Sequence, residues 1–545
     1  LVTSLCPSTT GTLVQLFDFK GKNNVILAFC PAAFTGGCTK ELRAYQFNLE
    51  KFTNSEKQVF GMSADDAPSQ WRFTEELKAP LCLGQTAEAW SGLFFVVKER
   101  MCLLGRPASS TNSQRFRSYP AIVENMGDHR RGCSGPVVQV RRVDECRTLE
   151  EVFLNCLPAF GGAFLRRVYT ILDRAIGLGC PLTISVAGPV TVSGQHMAWL
   201  IPLIETGWVA YLSTTDAVCY HDGHRSLDEH APSPIFEVPI WGDDAALRER
   251  HIIRVTDMAF DEQVLNDQDR FLSACLLRPE FQKKMSGTEF RHKLGAVYAE
   301  QERKNGVPHG LLATCYQMAI PVFVGAPADG SVFLNSMKLW AMKRAGLIED
   351  YAFDLDLHAE VFEACAYHYW GLFENPVRML GTLILGGGVP KNFNLQPEPA
   401  LGQVLGLAEA RGYHFDVQIV SAPVTDGSLS SCPPAEAVTW GKVDKDVYQQ
   451  TTESLQADYS TVMPFLVKAL LDKRAHFERL EAELGRERLF ERHPEARGYL
   501  RPRTGYRLFE LREQLCERLL SEVKKNGQWL LQSLEYALPL FVRRK

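Results

Sequence analysis

At 545 residues, 46% of them hydrophobic and 23% charged, the chain is too long for one ordinary core and reads as roughly two to four soluble domains. A net charge of −5 provides no basic field for nucleic acid or an anionic membrane, and no apolar run reaches the length of a membrane span. The 15 cysteines are scattered without a Cys-x-x-Cys pair, which suggests buried thiols in a reducing, cytoplasmic setting and not a disulfide framework.

The opening "LVTSLCPSTTGTLVQLFDFKGK" has no basic segment and no initiator methionine, and reads as a clipped or partial terminus, not a signal peptide. Three elements follow in β-α-β order: "NNVILAFC" (23–30) as a strand, "TKELRAYQFNLEKF" (39–52) as an amphipathic helix and "KQVFGMSA" (57–64) as a strand. That order predicts an α/β layer over 1–105. Residues 106–145 are rich in Ser, Arg and Gly without periodicity, and read as a linker or poorly ordered junction.

A second α/β region is expected over 146–470. "PLTISVAGPVTVSG", "WVAYLSTTDAV", "IPVFVGAPADGS", "VRMLGTLILGGGVPKN" and "FDVQIVSAPVTDGSLSS" are apolar, β-branched runs that each break at Gly, Asp or Ser. Parallel strands buried on both faces have this pattern, and ligands collect beyond their carboxyl ends. "DGS" occurs at two such ends, 329–331 and 426–428, hinting at a shared rim. "DLDLHAEVFEACAYHYWGLFE" (354–374) reads as a packed helix.

The cluster "HDGHRSLDEHAP" (221–232) fits no helical metal-ligand pair; it reads as a polar loop, and no metal is expected. The last stretch is helical, with Leu466, Leu470, Phe477, Leu480 and Leu484 near a 3.6-residue spacing. It predicts a helical extension over 471–545, a hairpin packed on the core or on another subunit, with a solvated charged face at 471–492.

Two motifs carry chemistry. In "PAAFTGGCTKEL", Cys38 lies where a helix should begin, a position that lowers a thiol pKa. Pro31, Thr35 and Cys38 resemble the peroxiredoxin motif Pro-x-x-x-Thr-x-x-Cys. The resemblance covers about 1–105 and implies a thioredoxin-like fold, with Cys38 as the peroxide-attacking thiol and Thr35 beside its substrate. The family's arginine beside the active cysteine has no counterpart in "AWSGLFFVVKERMCLLG".

Further on, "ILGGGVPKN", "DGSLSSCPPAEAVTWGK" and "LQADYS" resemble the deoxyhypusine synthase family in motif order, over about 180–470. The resemblance implies a Rossmann-like NAD-binding domain, polyamine oxidation (spermidine in the family), transfer of an aminobutyl group through a lysine imine, and a homo-oligomer, expected to be a tetramer. Lys442 occupies the place of the imine-forming lysine in Trp-Gly-Lys; only a primary amine can take and release such a group, and it must be neutral to attack. Trp440 would wall the methylene chain and face an ammonium.

By the same resemblance Gly188, Val192, Ser193, Thr215, Asp216, Ala217, Asp329, Gly387, Ser421, Ala422 and Asp458 fall where the family contacts NAD. Asn392, Asp426, Gly427, Ser428, Glu436 and Trp440 fall on the substrate side.

The departures lie on that side. Asn392 replaces a histidine, Tyr220 and His221 a Glu–Glu pair, and Leu334 and Leu429 acidic residues. Fewer carboxylates would weaken a polycation's binding, so a different amine or acceptor is open. Two other readings stand beside the transferase: a thiol peroxidase with a non-catalytic larger domain, and a hydrolase of a guanidino or amino compound on the same scaffold.

Overall fold

The computed structural model describes residues 138–225, 227, 235–407 and 411–542, together with the backbone of five short strands among the first 85 residues. The chain divides into two compact units, Leu1–Gly132 and Cys133–Lys545.

In the first unit Asn24–Cys30 pairs in parallel with Lys57–Ser63, and that strand pairs in parallel with Cys82–Gln85. The two expected strands are therefore present and adjacent. Thr35, Cys38, the helix expected over 39–52 and most of the 106–145 junction lie outside the described residues. The end of that junction is structured: Val143–Glu145 forms a helical turn, and the Arg141 N–H donates to the Asn155 carbonyl at 3.1 Å.

The second unit is built on six strands: β1 (Leu182–Val186), β2 (Val209–Thr214), β3 (Val322–Val324), β4 (Gly381–Leu385), β5 (Phe415–Val420) and β6 (Thr452–Gln456). All pair in parallel, in the order β3-β2-β1-β4-β5-β6. Every residue of the first five is buried, because helices cover both faces. This is the doubly wound order, and its reversal between β1 and β4 opens a crevice at the carboxyl ends of the strands. The sixth strand was not expected; "TESLQ" is a polar edge strand without the apolar signature of the others.

Buried polar groups fix the loops at that end. The helix α1 (Asp216–Asp222) carries two of them. Asp216 accepts the Val332 N–H at 2.8 Å, at the start of the helix Ser331–Arg344. Asp222 accepts the Leu311 and Leu312 N–H groups at 2.7 Å each. On α2 (Gly287–Asn305), Arg291 pairs with Glu360 of α3 (Leu357–Tyr369). The Arg291 Nε donates to the Val322 carbonyl at 2.6 Å and Glu360 accepts the Val324 N–H at 3.2 Å, so both ends of β3 hang on this ion pair. The helix expected over 354–374 is α3, extended by a π-helical turn at Trp370–Glu374.

Three expectations are corrected. His221 and Asp222 end a helix and do not form a loop, and Asp222 is buried on backbone amides. His221 and His224 contact each other at 3.0 Å, and among the described residues no group of His, Cys, Asp and Glu is arranged to hold a metal. The expected helical tail is present, but helix Tyr459–Leu484, which buries Leu466, Leu470 and Phe477, is followed among the described residues by four more α-helices instead of by a single partner in a hairpin. The 471–492 face is not wholly solvated. Arg474 is buried and donates to the Thr206 carbonyl at 2.6 Å, while Lys473 bridges Glu150 and Asp173.

Candidate active site

The residues beyond β4 and β5 build one cavity. β4 ends at Leu385, and Gly386 and Gly387, both at φ 63°, turn the chain into α4 (Gly388–Leu395). Left-handed backbone of this kind is where glycine is needed. On α4, Lys391 is buried and its ammonium donates to Gln418 Oε1 at 2.6 Å and to the Cys432 carbonyl at 2.5 Å, tying α4 to β5 and to the loop beyond it. Asn394 donates to the Thr183 and Thr382 hydroxyls, anchoring the other side of the helix on β1 and β4.

Beyond β5 the second "DGS" forms a tight turn, with the Ser428 N–H donating to Asp426 Oδ1 at 2.6 Å. Asp426, Gly427 and Ser428 are exposed, and the next residue, Leu429, contacts Gly388 and lines the cavity. Two short helical turns, Pro434–Ala437 and Val438–Trp440, end at Gly441, whose φ of 75° reverses the chain. Lys442 is held on both backbone sides: its N–H donates to the Ala437 carbonyl at 3.0 Å and its carbonyl accepts the Tyr413 N–H at 2.9 Å.

Its Nζ stands 5.7 Å from the centre of the Trp440 ring, within cation–π range. The cavity, about 950 Å³, is lined by Lys442, Trp440, Glu436, Asn392, Lys391 and Asp416 among others, and is of the size that encloses a small molecule.

Burial sets the charges here. It lowers the pKa of Lys442, against the opposing pull of Cys432 and Glu398, and it lowers Lys391. Burial also pushes Asp416 up to about 7, with Lys391 pulling the other way, and Glu398 up to about 7, with Lys442 opposing. Asp416 Oδ1 has no hydrogen-bond partner among the described residues.

The second feature is the rim of the sheet. After β1, Gly188 has φ 83°, and a Cβ there would lie 3.3 Å from the Tyr459 hydroxyl, which itself donates to the Ala187 carbonyl at 2.7 Å. A Cβ on Gly387 would collide with Ala187 at 2.2 Å. Between β1 and β4 there is thus no room for a side chain at Gly387, and at Gly188 the left-handed backbone disfavours one.

Thr215 and Ala217 follow β2, Asp329 follows β3, Ser421 and Ala422 follow β5, and Asp458 follows β6, capping the next helix through the Ser460 N–H at 2.8 Å. All six strands therefore present one of the expected cofactor positions at the carboxyl end. Val192 is buried in the turn after Gly188, Ser193 is half-buried and Asp216 is occupied in capping. Leu429, which lines the cavity, also lies beside Gly388: a Cβ built on that glycine would be 3.4 Å from the Leu429 Cβ.

Residues 150–470 match the family model described as deoxyhypusine synthase. The chain belongs to the deoxyhypusine synthase family. A deoxyhypusine synthase-like protein of Thermosynechococcus vestitus is 34% identical over 60% of this chain and 79% of its own length, and one of Nostoc sp. is 35% identical over 58% and 80%. A probable deoxyhypusine synthase 1 of Methanosarcina mazei is 26% identical over 65% and 97%. Residues 4–102 match a second model, described as the AhpC/TSA family, in agreement with the peroxiredoxin-like reading of the N-terminal segment.

Within the deoxyhypusine synthase region the departures fall into two places. Asn392 and Leu429 line the Lys442 cavity. Tyr220 donates to Asp269 at 2.9 Å, as does Asn335, the neighbour of Leu334, at 2.7 Å, and none of Tyr220, His221 and Leu334 lines that cavity. Lys391, Glu398 and Asp416 were missed from sequence. Lys391 stood inside the quoted "GGGVPKN", and Asp416 was the one charged residue in a strand buried throughout, a usable signal. Glu398, in "QPEPAL", carried none.

Proposed function

We propose that the Cys133–Lys545 unit is an NAD-dependent transferase that moves an aminobutyl or related aminoalkyl group from a polyamine to an acceptor amine through an imine on Lys442. The observation that carries this is Lys442 itself: a lysine with depressed basicity, backbone-clamped, near an indole ring and lining a cavity at the carboxyl end of the sheet. Only the neutral amine can attack an imine carbon, and a lowered pKa raises the neutral fraction.

The crevice fits NAD. Positive-φ glycines leave backbone bare at Gly188 and Gly387, the N-terminus of α4 faces the turn, and Asp329 and Asp458 stand at the rim. NAD bound there supplies reversible hydride transfer. The protein's own residues do the rest. Trp440 and Leu429 shield the methylene chain from water, while Glu436 gives a carboxylate to a cationic substrate.

Leu429, in place of an acidic residue, leaves this pocket less anionic than the family pattern, which favours a shorter or less charged amine than the family's spermidine. The acceptor is a protein lysine or a small amine. A cytoplasmic homotetramer completes the reading, and sedimentation velocity measures its assembly.

Borohydride trapping in the presence of NAD and spermidine, putrescine or a related diamine, followed by peptide mapping, tests the proposal. A reduced adduct on Lys442 is expected; absence of an adduct with every amine would overturn it.

A second reading applies to residues 4–102 and is supported by the AhpC/TSA match together with Thr35 and Cys38 in motif register. It is a thiol peroxidase activity, which predicts peroxide consumption that Cys38→Ser abolishes.

A further inference from the structure

The first described residues of the second unit form a strap. Residues 138–145 are exposed, and the turn Val143–Glu145 closes with the Cys146 N–H donating to the Val143 carbonyl at 3.1 Å. Helix Leu149–Cys156 follows, and its far end returns to the strap, where the Arg141 N–H donates to the Asn155 carbonyl at 3.1 Å. That helix is fixed to the core by Phe153, which is buried and stacked on Tyr169 with ring centres 5.2 Å apart.

The return brings two thiols together. Cys146 Sγ lies 3.5 Å from Cys156 Sγ, ten residues on, and both residues are half-buried. Each thiol also faces a strap carbonyl, Cys146 that of Arg142 at 3.6 Å and Cys156 that of Arg141 at 3.3 Å. Among the described residues no other two cysteine sulfurs lie within hydrogen-bonding distance, and Cys180, Cys219, Cys275, Cys315 and Cys365 are buried. An S–S bond is about 2.05 Å long, so the two sulfurs need to approach by only about 1.5 Å.

We infer that Cys146 and Cys156 form a reversible disulfide when the chain meets a hydroperoxide. One sulfur attacks a peroxide oxygen, the O–O bond breaks, and a sulfenic acid forms with release of water or an alcohol. The second sulfur attacks the first, an S–S bond forms, the S–O bond breaks, and the oxygen leaves as water. The peroxide gains two electrons, one from each thiol, and the two thiol hydrogens end in the released water and alcohol.

Burial and the neighbouring Cys156 raise the Cys146 thiol pKa, with Arg141 opposing, so Cys146 lacks the thiolate character of a peroxidatic cysteine. Proximity decides the product instead: the nucleophile already in contact with either sulfenic acid is the other thiol. The bond ties the strap to a helix anchored on the core, and a transient disulfide of this kind is compatible with a reducing compartment.

Trypsin provides the test, because Arg147 separates the two cysteines. The full chain is treated with excess hydrogen peroxide, the remaining thiols are blocked with N-ethylmaleimide under denaturing conditions, and the tryptic digest is mapped without reductant. Peptides 143–147 and 148–166 are expected as one disulfide-linked species that dithiothreitol separates. Cys146→Ser and Cys156→Ser should each abolish that species and leave the remaining thiol to proceed to sulfinic acid. Recovery of both wild-type cysteines as N-ethylmaleimide adducts, or as sulfinic acids without the linked species, would overturn the inference. Linkage of either to a different cysteine would do the same. The wild-type chain alone decides, so a variant that fails to fold leaves the outcome intact.

Discussion

Lys442 is reactive because of its neighbours' geometry more than its own identity. The positive φ of Gly441 turns the chain so that the lysine stem enters the cavity while its backbone stays bonded to Ala437 and Tyr413. Trp-Gly-Lys was legible in the sequence because the motif is contiguous. Glu398 was not, since it comes from a segment 44 residues earlier in the chain that meets Lys442 only after folding. Asp416 makes the same point and carries a prediction. Burial lifts its pKa from an ordinary 3.8 to about 7, so the folded state holds a proton there that the unfolded chain has lost. The stabilisation from that proton is complete below about pH 4 and is lost as pH rises through about 7. Asp416→Asn should therefore remove this part of the decline in melting temperature between pH 4 and 8, and should melt above wild type at pH 8. Melting curves across that range check it; an unchanged slope would mean that Asp416 ionises normally.

At the scale of elements, legibility followed burial. Five strands announced themselves as β-branched apolar runs because helices cover both faces, and the sixth, "TESLQ", did not because it closes the sheet at an edge. The breaks at Gly, Asp or Ser that end the five apolar strands were readable in the sequence, whereas the positions expected for a cofactor came from the family resemblance alone. The charged stretch after residue 470 was misread for the converse reason: Arg474 and Lys473 have polar partners inside the fold, which periodicity does not register. The Arg291–Glu360 pair is of that hidden kind and holds β3, whose carboxyl end leads to the first "DGS". Both side chains are almost wholly buried, at 3% and 2% exposure, so removing one partner strands a charge in the interior. Arg291→Met should cost about 3–5 kcal/mol of stability, read as a shift in the denaturant midpoint. Retention of wild-type stability would show that Glu360 is neutral in the folded protein.

Over the whole molecule, two compact units lie on one chain, matched by two different family models at residues 4–102 and 150–470. The amine chemistry proposed here uses no thiol: Cys432, the cysteine lining the Lys442 cavity, has its pKa raised by burial, the opposite of what a nucleophilic cysteine needs. Peroxide chemistry at Cys38, in turn, has no use for an imine-forming lysine. The two activities should therefore separate cleanly in the intact chain. Cys38→Ser should abolish peroxide consumption and leave borohydride trapping on Lys442 within about twofold of wild type, as expected if the two activities are independent. Lys442→Ala should abolish trapping and leave peroxide consumption intact. If instead Cys38→Ser slows trapping tenfold, the thiol unit controls the transferase, and the two belong to one reaction sequence in which an oxidised thiol reports to the amine site.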